Sequence, residues 1–175
     1  MVSNLVLMIR FSKILFFLFL CCLLFQVACK KGPEYPIEPA ITFKDFVKIP
    51  NNTGHDDKAN LIISFTDGDG DIGLEEGDTM SPYNSTSKYY YNFFITYYEV
   101  KNGIDSLIEL PFTNNSRIPV ITPTGRNKAI KGDIQIELFI RNPTAINDSI
   151  CFDVSICDRA LHVSNVIRTP TFKIN

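Results

Sequence analysis

The chain has 175 residues, a formal net charge of −2, 21% charged residues and five cysteines. So small a net charge, with no clustered basic face, excludes the electrostatic footprint of a nucleic-acid-binding protein. The length suffices for one domain with a real core.

The first 28 residues read as a secretory signal. Arg10 and Lys13 precede an apolar run from Ile14 to Phe25, and Gln26-Val27-Ala28 leads into Cys29. A basic stretch, an apolar stretch and a small residue at the cleavage point form that pattern. The run is short for a bilayer span, which needs about 20 residues, so an uncleaved anchor helix is the weaker reading. Arg10 and Lys13 are the only charges of the leader, so the rest carries −4, the total of −2 less their +2.

A cysteine directly after such a run resembles the lipobox of bacterial lipoproteins. That resemblance implies a diacylglycerol on the Cys29 sulfur and Cys29 as the mature N-terminus. Gln26 stands where the motif usually has Leu or a similar aliphatic residue. Acyl chains contribute about 0.8 kcal/mol per buried methylene, so two or three anchor a protein durably. Residues 29–39 contain Pro33, Pro36 and Pro39 without apolar periodicity, which predicts a stiff tether between lipid and domain.

From residue 40 to 175 the pattern predicts strands joined by turns. Ile41, Phe43, Asp45, Val47 and Ile49 would share an imperfect inner face, opposite Thr42, Lys44, Phe46 and Lys48. Ala59–Thr66 follows a polar turn, with Leu61, Ile63 and Phe65 on one face. Tyr89–Val100 is aromatic on both faces, as expected of a strand covered on both sides. Asn102-Gly103 is a hairpin signal, with Ile104–Phe112 returning. A short edge strand is expected at Arg117–Thr122, bounded by Pro119 and Pro123. Asp133–Arg141 alternates cleanly, Ile150–Ile156 returns, and Val166–Ile174 closes the chain. Seven or eight short antiparallel strands with turn residues between them argue a single β-sandwich of immunoglobulin-like type.

The most distinctive stretch is F-T-D-G-D-G-D-I-G-L, Phe65 to Leu74. Asp67, Asp69 and Asp71 repel one another, and the glycines between them permit unusual backbone angles. Such clusters serve a sharp turn, a hard cation such as calcium, or both. Against a calcium loop of the EF-hand type, the three aspartates fill positions 1, 3 and 5. Ile72 then stands where glycine is required and Asp78 where glutamate is expected, so the loop is of another kind. With strands running alternately up and down, the loop after the second strand shares an end with the loop before the last. That brings Asp158 toward Asp67, Asp69 and Asp71, either as a fourth metal ligand or with Arg159 neutralising the acids. The connection onward to Lys88 exceeds twenty residues, a length typical of functional or mobile loops.

Catalytic signals are sparse. His55 and His162 lie in polar loops, and there is no G-x-S-x-G elbow and no phosphate loop. Cys151 and Cys157 on one strand would lie roughly 20 Å apart at about 3.3 Å per residue. A disulfide needs Cα atoms within about 7 Å, so free thiols are expected. The alternation also puts both thiols on the face opposite Ile150, Phe152, Val154 and Ile156, which requires something to cover that face. Tyr89, Tyr90, Tyr91, Tyr97 and Tyr98 are candidates for stacking on a glycan or protein partner, or for packing the sheet.

The stretch I-C-D-R-A-L-H-V-S-N-V-I-R-T-P, with F-T-D-G-D-G-D-I-G-L and the cysteine at 29, resembles a group of Bacteroidota envelope lipoproteins. These carry one immunoglobulin-like sandwich. The resemblance implies a lipid-anchored envelope protein of no established activity. In that phylum acidic residues after the lipidated cysteine accompany surface export. Lys30 and Lys31 occupy those places here, which points to the outer membrane's periplasmic side. Two function classes follow. The first is a non-enzymatic binding or structural module, held to the membrane by lipid and engaging another envelope protein or a glycan. The second is an envelope enzyme of unrecognised type that uses the Asp/Gly loop as a metal site.

Overall fold

In the computed structural model the described residues are 34–175, apart from 53, 122, 124–127, 143 and 145–147. Before residue 34 only Arg10, Ser12, Lys13 and Gly32 are described, so the expected leader cleavage and Cys29 lie outside the described residues. Residues 1–33 and 34–175 are distinct units. Among the described residues no helix is long and apolar enough to cross a membrane.

The second unit is built of β1 (Ala40–Lys48), β2 (Lys58–Asp67), β3 (Phe93–Lys101), β4 (Ile104–Leu107), β5 (Ile130–Phe139), β6 (Ser149–Ile156), β7 (Ile167–Arg168) and β8 (Phe172–Lys173). One sheet has the order β1-β2-β5, the other β4-β3-β6-β7, with β8 also paired to β6. Every pairing is antiparallel. This is an all-β sandwich of two antiparallel sheets, its third and sixth strands paired in one sheet and its second and fifth in the other.

The period of two decides the core. In β2 burial alternates without a break, so Ala59, Leu61, Ile63 and Phe65 face inward. From the opposite sheet Phe93, Tyr97, Ile150, Phe152, Val154 and Ile156 meet them. Phe152 packs edge-on against Tyr97, ring centres 5.7 Å apart, and tilted against Phe46 at 6.0 Å. Asn102 and Gly103 both have positive φ, 52° and 76°, as the turn from β3 to β4 demands.

Several expected boundaries shift, each for a local reason. The imperfect inner face of β1 is repaired by a bulge between Phe43 and Asp45. One extra residue re-phases the strand, so Phe46 turns in to stack on Phe172 at 3.9 Å while Val47 turns out. Tyr89–Tyr91 do not extend β3, because residues 87–92 run through turns and bends. The returning strand stops at Leu107 instead of Phe112. Arg117–Thr122 forms no strand among its described residues, and the only bridge nearby joins Ser116 to Phe93. The last expected strand is divided into β7 and β8 around Pro170, which has no N–H for a ladder.

Asparagine amides replace some of the missing ladder. Asn114 donates Nδ2–H to the Phe139 carbonyl at 2.9 Å and accepts the Phe139 N–H on Oδ1 at 3.0 Å. Asn92 does the same to Ile118, and Asn165 to Ile41. Each side chain mimics a peptide unit on a neighbouring segment.

Two arginines pin the long connection between β2 and β3. Arg117 donates to the carbonyls of Glu75, Asp78 and Tyr90 at 2.9, 3.1 and 2.9 Å, and its guanidinium lies over the Tyr90 ring. Arg159 forms a two-pronged pair with Asp78, at 2.7 and 2.8 Å, and its carbonyl accepts the Tyr83 hydroxyl.

Candidate metal centre at the mouth of the sandwich

Asp67 is the last residue of β2 and stays in phase with Leu61, Ile63 and Phe65, so its carboxylate points between the sheets and is wholly buried. The chain then needs room to turn. Gly70 and Gly73 have positive φ, 68° and 116°, where any Cβ would also strike the backbone of Lys128 or of Pro119 and Val120. A Cβ on Gly68 would strike the carbonyls of Tyr35 and Pro36. The residues expected to end the tether thus lie against the Asp/Gly loop. Leu74 N–H and the Ile72 carbonyl bond the 118–121 segment, at 2.9 and 3.0 Å, which fixes the loop's far side.

Asp158 comes from the other sheet. It follows Ile150, Phe152, Val154 and Ile156 in phase, and it is 1% exposed. Its Oδ1 accepts the backbone N–H of His162 at 2.7 Å, and its Oδ2 meets His162 Nδ1 at 2.9 Å. Leu161, at a φ of 71°, bends the chain back to make this closure. Asp71 is held on the same turn, since its carbonyl accepts the Arg159 N–H at 3.2 Å.

The result is four carboxylates, from Asp67, Asp69, Asp71 and Asp158, with one oxygen of each within 4.8 Å of the others. They could hold a metal ion. Asp67 Oδ2 accepts the Asp71 N–H at 3.1 Å, but Asp67 Oδ1 is buried with no hydrogen-bond partner, as is Asp71 Oδ1. Burial, and then the charges of Asp69 and Asp71, push the Asp67 carboxyl up to about 6. Burial and the charges of Asp158 and Asp69 raise Asp71 as well, while the backbone at Ala160 partly offsets them. The bond to Asp158 holds the His162 imidazole above its ordinary value.

Arg159 does not neutralise this cluster. Its guanidinium is committed to Asp78, and among the described residues no lysine or arginine pairs with the four aspartates. The acids beside His55 are engaged elsewhere, Asp56 with Lys48 at 2.6 Å and Asp57 with Arg141 at 3.4 Å.

The tyrosines form no single platform. Tyr97 is in the core, Tyr98 lies under the Arg168 guanidinium at 4.1 Å, and Tyr90 packs edge-on to Tyr91. Tyr89 and Tyr91 line an open groove of about 520 Å³ with Phe94, Lys88 and Val163. Cys151 and Cys157 are free and buried. Their face is therefore covered, Cys151 being 2% and Cys157 1% exposed. Burial, reinforced by Asp158, pushes the Cys157 thiol up to about 11.

Comparison with family models, with curated proteins and with solved structures finds no match to this chain.

Two participants were not legible beforehand. By sequence His162 is a histidine of a polar loop, and Arg117 part of a short strand. The i, i+4 spacing of Asp158 and His162 was a signal for the first. Arg117 bonds carbonyls 27 to 42 positions away, which no local pattern carries.

Proposed function

We propose that this chain is an envelope lipoprotein, anchored by lipid at Cys29 on the periplasmic side of the outer membrane. Its sandwich acts as a non-enzymatic binding or structural module that calcium stabilises. The supporting observation is the Asp67 carboxylate, fully buried with one oxygen unpartnered, among three other carboxylates that no lysine or arginine among the described residues offsets. A buried charge without compensation is costly, and a cation is the usual compensation.

The donor set suits calcium. All four ligand groups are oxygen donors of the hard type that calcium takes. Asp67, Asp69 and Asp71 come from one sheet's loop and Asp158 from the other sheet. An ion there ties the two sheets at one end of the sandwich.

The test is thermal unfolding and calcium titration of the full chain in detergent. At 100 times its dissociation constant, calcium stabilises a protein by about 2.7 kcal/mol if the unfolded chain does not bind it. The midpoint is expected to rise with calcium and fall with chelator. An unchanged midpoint together with no heat on titration would sink the calcium reading. Acyl labelling of the wild type and its loss in Cys29→Ala tests the anchor separately.

A further inference from the structure

The Asp158 carboxylate is buried, but its orientation is not fixed by packing alone. A carboxylate's terminal torsion is broad and roughly two-fold, so something must set the plane in which its oxygens lie. His162 bonds both oxygens, through its backbone N–H at 2.7 Å and its ring Nδ1 at 2.9 Å. An ionised carboxylate offers about four acceptor directions, so two remain after His162 has used two.

We propose that His162 is the positioning residue of this site, setting the Asp158 carboxylate so that its remaining acceptor directions serve an ion shared with Asp67, Asp69 and Asp71. The inference rests on the calcium reading above. The ring lies outside the cluster and acts through Asp158, as partners of metal-ligating groups commonly do. The turn is built for this contact, with Leu161 at positive φ and the Asp158 N–H returning to the His162 carbonyl at 3.1 Å. The unpartnered oxygens of Asp67 and Asp71 mark where the ion belongs, and Asp158 must face them to complete the set.

His162 is also replaceable without opening the core, because its side chain is 33% exposed while that of Asp158 is fully covered. Removing such a second partner commonly weakens metal affinity by about 10–100-fold. The experiment measures calcium affinity by calorimetry on the full chain, for wild type, His162→Ala and His162→Asn. Terbium luminescence lifetimes then count the waters left on the ion.

His162→Ala should bind calcium about 10–100-fold more weakly and leave more water on terbium. The melting midpoint in chelator should fall slightly, since the ring bond to the buried Asp158 carboxylate is lost while the backbone bond from residue 162 remains. His162→Asn keeps an N–H donor near the same place and should recover much of the affinity. A wild-type binding constant and lifetime in His162→Ala would overturn the positioning role while leaving the site intact. Absence of calcium binding in the wild type would instead overturn the calcium reading beneath it.

Discussion

Asp67 and Asp158 close the same end of the sandwich from opposite sheets. Each continues the inward face of its strand, after Phe65 in β2 and after Ile156 in β6, and each is at most 1% exposed. The alternation that builds the core therefore also delivers two carboxylates into it. Asp69 and Asp71 complete the cluster from the loop between them.

Asp67→Asn should reverse its effect on stability when calcium is added. The folded-state value of Asp67 is raised to about 6 from 3.8, so the fold holds this proton more tightly than the unfolded chain does. Its contribution is favourable below about 4 and is lost as pH rises through about 6, a penalty of roughly 3 kcal/mol at pH 7 without an ion. The variant lacks that penalty, so in chelator at pH 7 it should melt above wild type, with the advantage gone at pH 4. With saturating calcium the wild type should melt higher, because the variant has lost a ligand. The same rank order at pH 7 in chelator and in calcium would contradict the shared site.

Asn114→Ala should destabilise the fold by about 1–3 kcal/mol, since it removes two hydrogen bonds to the Phe139 backbone, each worth about 0.5–1.5 kcal/mol net. Asn114 is 8% exposed and serves both polar groups of Phe139. Asn114→Asp keeps the acceptor but sets a carboxylate against the Phe139 carbonyl, so it should fare no better. Urea unfolding of the three proteins checks this, and a wild-type midpoint for the Asp variant would show that the donated bond contributes nothing.

Arg159→Ala should loosen the loop while sparing the ion. Its guanidinium holds Asp78, and its partners lie outside the four-carboxylate cluster. Amide exchange over residues 75–92 should accelerate, and calcium affinity should stay the same or tighten as a nearby cation disappears. A collapse of calcium affinity would instead make the guanidinium part of the site.

Cys151 and Cys157 should resist alkylation in the native protein and react after unfolding. Both are buried, and burial raises both thiols, Cys157 to about 11. Peptide mapping after native and denaturing alkylation distinguishes the two positions. A disulfide, or rapid native labelling of either residue, would contradict the burial.

The courses of β2, β5 and β6, the inner faces of β2 and β6, the hairpin at Asn102-Gly103 and the separation of the two thiols were determined by the sequence alone. Each depends on a period of two or on a dihedral preference, both properties of neighbouring residues. Even the inward aim of Asp67 was implicit in that phase, two positions past Phe65. Tertiary structure alone decided what compensates the acids. Arg159 lies next to Asp158 in the chain, yet its long side chain reaches Asp78, 81 positions away. His162 turns back to Asp158 because Leu161 adopts a left-handed φ that the pattern of residues did not require. The phase slip in β1 has the same origin, since a bulge that buries Phe46 is favourable only once Phe172 and Phe152 are there to receive it. Local sequence sets which way a strand residue points, whereas the partner at the end of a long side chain is chosen by segments that only folding brings near.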